Sequence, residues 1–377
     1  MSNHREVQGW SQNTSRETTD YILPNENTTL IEPPALCRSE SEPIFLLIVV
    51  CSSANNFEAR QSIRESWGNT TEYNYPIFEK IHGSHNGSFL GVNSSKWRKY
   101  VENATNSSQA LLSSNIRNRV VFLVGIANDD QQYQINYEHE AYGDIIQENF
   151  VDSYNNLTLK TILMLKWANN NCVNKVKYIM KCDDDSFINV PNLVHVLLGG
   201  TLPVYKSTIS FYDKISVNAK NSKNRMAENK FLLMGYKFCS AKPISDVTSK
   251  WYAPNYLFSG EFYPDYLSGT AYVMSFEAAQ RLYKGSLSTP LFHLEDVYLT
   301  GFVADKVKLK RQHHPLFFYL SSKDHCSLRG MLTQHQMTPM TIEIAYSFVT
   351  NLTIKCAVPD KNFMSVKLKL TQRKRCQ

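Results

Sequence analysis

Three largely apolar runs, separated by segments with helical spacing, constrain this chain more than any other feature. The first is Ile44 to Cys51, the second Arg119 to Ala127 with Val120, Val121, Phe122, Leu123 and Val124 unbroken, and the third Val176 to Cys182. Runs that lack polar alternation belong to strands covered on both faces, which is the situation in parallel sheets with helices on either side. Helical spacing is read over Asn55 to Trp67, over Gln132 to Gln147, and over Leu157 to Asn170, where Leu157, Thr161, Met164, Leu165 and Ala168 share a face. Strand, helix, strand with short joints predicts an α/β fold with a doubly wound sheet, in which ligands bind outside the carboxyl ends of the strands.

Directly after the third run come Asp183, Asp184 and Asp185, with Tyr178, Ile179 and Met180 before them and Phe187 and Ile188 after. An acidic triplet by itself reads as a solvated turn, but these flanks bury it at a sheet edge. Carboxylates this close repel one another unless a cation compensates. Hard oxygen ligands select Mg²⁺ or Mn²⁺, and a site with few protein ligands leaves positions open for phosphate oxygens. The spacing therefore predicts a clamp for a nucleotide diphosphate. Asp185, on the same side as Asp183, is the expected metal ligand, while Asp183 or Asp184 faces the ribose or a metal-bound water.

The rest of the chain bounds the reading. Residues 1–42 are rich in Ser, Thr, Asn and Glu and are expected to form a disordered, stem-like tail ahead of a catalytic domain over 43–377. A polar insert, 69–117, is expected to be a surface excursion; five of the nine Asn-x-Ser/Thr sequons lie between Asn69 and Asn106, the pattern of a glycosylated lumenal loop. The net charge of +6 is spread over 40 basic and 34 acidic residues, without the concentrated patch of a nucleic-acid binder. Eight cysteines show no CxxC pair, so a structural zinc site is not expected, and a lumenal compartment would permit disulfides. The strongest N-terminal apolar run, Ile44 to Val50, is far shorter than the roughly 20 residues of a membrane-spanning helix.

Five ordered segments resemble the β1,3-glycosyltransferase family of β1,3-galactosyltransferases and β1,3-N-acetylglucosaminyltransferases. They are Phe57 to Gly68, Asp152 to Thr161, Tyr178 to Asp185, Tyr263 to Val273 and His293 to Tyr298. The resemblance implies a glycosyltransferase-A fold, a UDP-sugar donor carrying galactose or N-acetylglucosamine, Mn²⁺ or Mg²⁺, a glycan acceptor on protein or lipid, and inversion to a β1,3 linkage. It also implies a type II Golgi membrane topology, for which this sequence shows no anchor. Asp296 matches the family's general base, with Glu295 beside it, and His335, in Met331 to Gln336, matches a metal-binding histidine. Asp183, Asp184 and Asp152 are carried over as nucleotide-binding positions. Arg60 and Arg64, one helical turn apart, are assigned to the nucleotide phosphates or to ion pairs with acidic groups. Trp251, Tyr252 and Tyr256 are candidates to stack on an acceptor ring, and Leu267 stands where many members carry cysteine.

The alternative from another class is a catalytically silent lumenal glycan-binding protein or chaperone on the same scaffold. A Mg²⁺ phosphotransferase is disfavoured because no Walker loop accompanies the triplet.

Overall fold

The structure is a computed structural model that describes residues 6–34, 36–37, 43–71, 75–82, 116–212, 229–322, 324–360, 362–363 and 365–366. Ten strands are described: β1 Thr29–Ile31, β2 Ile44–Cys51, β3 Asn118–Val124, β4 Ile145–Glu148, β5 Val176–Asp183, β6 Phe187–Ile188, β7 Leu233–Phe238, β8 Tyr266–Ser275, β9 Gln312–His313 and β10 Thr333–Gln334. Eight of them form one mixed sheet in the order β1-β4-β3-β2-β5-β8-β7-β9, and β10 and β6 form a separate two-stranded ladder. The three expected strands are its centre: β2 pairs in parallel with β3 on one side and β5 on the other, in register from Leu46↔Tyr178 to Cys51↔Asp183.

Both faces of this centre are covered, for the reason the unbroken apolar runs suggest. Leu47 and Val49 point to a core shared with the Leu157–Asn171 and Phe276–Ser286 helices. Leu46, Ile48 and Val50 point the other way, to Ile63 of the Phe57–Glu65 helix and to the Val190–Leu197 and Pro339–Thr350 helices. With alternate side chains committed to opposite cores, a shift by one residue would exchange the two faces. The α/β architecture expected from the sequence, a doubly wound mixed sheet with helices on both faces, is what forms.

Element boundaries differ in two informative places. The segment expected to be helical over Gln132 to Gln147 is a helix only over Asp129–Tyr142; Gly143, at φ 63, ends it in the left-handed conformation and the chain enters β4. Glycine adopts that conformation without the Cβ penalty, which is why the turn falls there. The stretch Val297 to Val307, whose sequence reads as helix-like, begins after Asp296 as a π-helical turn, Val297–Val303, running on into Ala304–Lys306.

Residues 6–34, read from composition as part of a tail, pack onto the domain. Trp10 is buried and donates its indole N–H to the Asn155 carbonyl, the Thr18–Ile22 helix buries Thr18 and Ile22, and β1 extends the sheet antiparallel to β4. Cys37 is bonded to Cys172 at the end of the Leu157–Asn171 helix. A few well-placed apolar anchors and one covalent tie outweigh an average composition that is polar. Of the expected insert, residues 83–115 lie outside the described residues, and Tyr75–His82 is a helix that buries Phe78 and His82. No helix among the described residues is long and apolar enough to cross a membrane.

Candidate active site

The parallel strands deliver Asp183 at the carboxyl end of β5, beside Cys51 at the end of β2. The chain turns through Asp184 and Asp185 into β6, which pairs with β10 in the register Gln334↔Phe187. That short ladder carries His335 back over the acidic turn, and the Met337 N–H donates to the Asp185 carbonyl, closing the loop. His335 Nε2 thus lies 2.9 Å from Asp185 Oδ1 and 3.7 Å from Asp183 Oδ2.

One ligand atom from each of Asp183, Asp185 and His335 falls within 4.8 Å of the others. Two carboxylate oxygens and an imidazole nitrogen are a donor set that Mn²⁺ accepts readily, and that fits Mg²⁺ through its oxygens. The residues present therefore fit a divalent cation. Asp183, left open in the sequence between ribose, water and metal, stands with the candidate metal ligands. Asp184 is turned away: its Oδ2 accepts from Ser52 Oγ at 2.7 Å and Asn56 Nδ2 at 2.9 Å, tying the triplet to the loop after β2. Burial raises the Asp184 carboxyl above its usual range, against the pull of those two hydrogen bonds.

On the adjacent side β8 brings Gly269 against Asp296. Asp296 Oδ2 accepts the Gly269 N–H at 3.1 Å and Oδ1 accepts the Val297 N–H at 2.8 Å. A Cβ on Gly269 would sit 3.2 Å from Asp296 Cβ, so glycine is what allows this approach. Burial raises the Asp296 carboxyl, which the two N–H donors partly oppose. Its neighbour Glu295 is buried, accepts the Tyr272 hydroxyl at 2.5 Å, and is pushed up to about 7 by burial, with Lys181 opposing. Lys181, itself buried, binds Asp183 Oδ1 and the Gly269 carbonyl, each at 2.6 Å. Burial disfavours its charge, but Asp183 and Glu295 hold its pKa well above the usual lysine value.

Both arginines make ion pairs within the protein. Arg60 is fully buried; it pairs with Glu138 through Nε and Nη2 and donates to the Ser53 and Ala54 carbonyls. Its other contact is Ser52 Oγ, so it shapes the loop that holds Asp184. Arg64 pairs with Glu138 and with Asp144, which precedes β4 and is separated from the triplet by strands β3 and β2. Of the two roles the sequence allowed them, the structure gives ion pairing, because Glu138, one helix away, supplies the acceptor. Asp152 is also engaged in the protein: Oδ2 accepts the Gly125 N–H at 3.0 Å and Lys160 Nζ at 2.7 Å, and that ammonium reaches the Ser52 carbonyl.

Of the three acceptor candidates, Tyr252 is buried and Tyr256 accepts the Val7 N–H while donating to the Trp10 carbonyl. Trp251 is half exposed, with Lys250 Nζ 4.9 Å from its ring centroid. Tyr154, unremarked in the sequence, is partly exposed beside it, with Lys250 Nζ 5.5 Å from its ring centroid. Lys181, Lys160, Ser52 and Asn56 were likewise not singled out. The available signal was a lysine interrupting each of two otherwise buried segments, since lysine is almost never fully buried without a partner. Leu267 is buried on β8, with its N–H donated to Thr300 Oγ1.

A family model described as Galactosyltransferase matches residues 97–231 and 215–315. Beta-1,3-galactosyltransferase 1 of Mus musculus is 32% identical over 329 residues, covering 85% of this chain and 78% of that protein, and the Homo sapiens protein of the same name matches equally. Beta-1,3-galactosyltransferase 2 of Mus musculus is 29% identical over 317 residues, 82% of this chain and 59% of that protein. The mixed sheet, the acidic triplet at its strand tip and these matches agree on a glycosyltransferase-A fold, and the chain belongs to the galactosyltransferase family.

Proposed function

We propose that this glycosyltransferase moves galactose from UDP-galactose to a hydroxyl of a glycan on protein or lipid, with inversion to a β1,3 linkage and dependence on Mn²⁺ or Mg²⁺. The observation that carries this reading is the convergence, at one end of the sheet, of Asp183, Asp185 and His335 with Asp296, the two groups joined through Lys181 and Gly269. The printed names of the relatives favour galactose and the β1,3 linkage.

Asp183, Asp185 and His335 would hold the cation. When bound, a divalent cation offsets charge on the diphosphate leaving group. The chain's own task is deprotonation on the opposite side of the anomeric carbon. Asp296 is held by two backbone N–H donors, so its carboxylate has a fixed orientation and needs no rearrangement to accept the acceptor proton. Its raised proton affinity brings it closer to the range in which a carboxylate acts as a base near neutral pH. Trp251 and Tyr154 are both partly exposed, Tyr154 close enough to feel the charge of Asp296, and aromatic rings suit the apolar face of a sugar. Repelling carboxylates kept beside a held base have no use in a silent binding protein.

The disulfides Cys37–Cys172 and Cys326–Cys356 need an oxidising compartment, which supports the Golgi lumen as the site of action. Membrane association remains part of the proposal, on the family resemblance alone.

The test is transfer from labelled UDP-galactose to a panel of simple β-glycosides with and without Mn²⁺, with UDP-N-acetylglucosamine as the competing donor and linkage read by NMR. Transfer of N-acetylglucosamine alone would reassign the donor. Lack of any metal-stimulated transfer or donor hydrolysis would sink the reading.

A further inference from the structure

Lys181 occupies a position where a charge is expensive. It lies two residues before the carboxyl end of β5, 1% exposed, between Val49 of β2 and Tyr272 of β8, on the same strand face as Ile179. An ammonium taken out of water without partners costs several kcal/mol, and a methionine would fill the same space without that cost. What the lysine adds is a set of directed contacts. Nζ is 2.6 Å from Asp183 Oδ1, 2.6 Å from the Gly269 carbonyl and 3.6 Å from Glu295 Oε2.

Two of these partners lead to opposite halves of the site. Asp183 is one of the three groups that could share a cation. Gly269 gives its N–H to Asp296 Oδ2, so the residue that aims the acceptor-side carboxylate is gripped on its other side by the ammonium. Glu295 supplies the remaining counter-charge and is itself fixed by the Tyr272 hydroxyl.

We propose that Lys181 is a positioning residue of the transfer reaction: its ammonium sets the separation of Asp183 from Asp296 by holding Asp183 and Gly269 together, with Glu295 as its anchor. The proposal rests on the reaction proposed above. It assigns Lys181 no contact with donor or acceptor.

The experiment compares Lys181→Met, an uncharged side chain of similar length, with the wild type. Because that change leaves two carboxylates facing one another, Lys181→Met/Glu295→Gln is measured beside it, and the melting temperature of each is recorded. Mn²⁺ binding is titrated by electron paramagnetic resonance with Mn²⁺ alone, and kcat and KM are measured for donor and acceptor. The expected result, in the folded double variant, is a kcat lower by about 100-fold, the size of effect a misplacement of about 1 Å brings. Mn²⁺ affinity is expected to fall about 10-fold, as on loss of a group that orients a ligand. Folded protein with wild-type kcat overturns the proposal. Unchanged or tighter Mn²⁺ binding also overturns it, since a cation that merely opposes the metal would strengthen binding when removed. A wild-type protein without transfer activity would sink the reaction instead, and the Mn²⁺ titration would still decide whether Lys181 orients Asp183.

Discussion

His335 Nε2 lies 2.9 Å from Asp185 Oδ1, brought there by a ladder of only two residues on each side, Thr333–Gln334 against Phe187–Ile188. The Met337 N–H, donated to the Asp185 carbonyl, ties the acidic turn to the same distal segment. His335 Nδ1 is buried without a hydrogen-bond partner among the described residues, so the ring's orientation depends on the ladder and on what its Nε2 binds.

Removal of that ring should therefore act on the metal and leave the fold in place. His335→Ala is expected to raise the Mn²⁺ concentration for half-maximal activity by at least about 10-fold, with an unchanged melting temperature in chelator. An identical metal titration in the variant would take His335 out of the site.

Asp296→Asn keeps the size of the side chain but removes its basicity. Loss of transfer by roughly 10²- to 10⁴-fold is expected, with UDP affinity retained. The amide oxygen can accept from only one side of the Gly269 and Val297 pair as well as the carboxylate does, so stability should drop by about 1 kcal/mol. Calorimetric UDP binding together with initial rates checks both parts; a variant retaining transfer would take Asp296 out of the base role.

The buried pair Arg60–Glu138 gives a stability prediction that separates ion pairing from nucleotide binding. Arg60→Met leaves the fully buried Glu138 with Arg64 alone and releases the Ser53 and Ala54 carbonyls. Breaking one partner from a buried pair costs about 3–5 kcal/mol, measurable by chemical denaturation. A variant of unchanged stability whose UDP affinity falls would show that Arg60 serves the nucleotide after all.

His293 makes the fold sensitive to acid. Burial lowers its pKa from 6.5 to about 4, only partly opposed by the hydrogen bond to the Tyr252 carbonyl. The unfolded chain takes up the proton first, so stability contributed by the neutral ring is full above 6.5 and is lost as pH falls toward 4. The size is on the order of 3 kcal/mol. His293→Gln should remove that part of the slope between those two pH values, read from urea midpoints, and an unaltered slope would show that other groups carry it.

The sequence by itself determined the sheet's centre, because an unbroken apolar strand has no stable place except between two covered faces, and Ile44 to Val50 and Val120 to Val124 admit little else. It also determined that something must neutralise the triplet Asp183 to Asp185, since that follows from charge and distance along one chain. The tertiary structure alone decided which carboxylate does what. Asp184 is drawn off by Ser52 and Asn56, Arg60 is claimed by Glu138, and Lys181, two residues before Asp183, ties it to the distant Gly269; apart from the Lys181–Asp183 pair, these contacts join residues far apart in the chain. The N-terminal segment makes the same point: composition averages over a window, whereas Trp10, Ile22 and Cys37 act singly, each by finding a partner that only the folded chain presents.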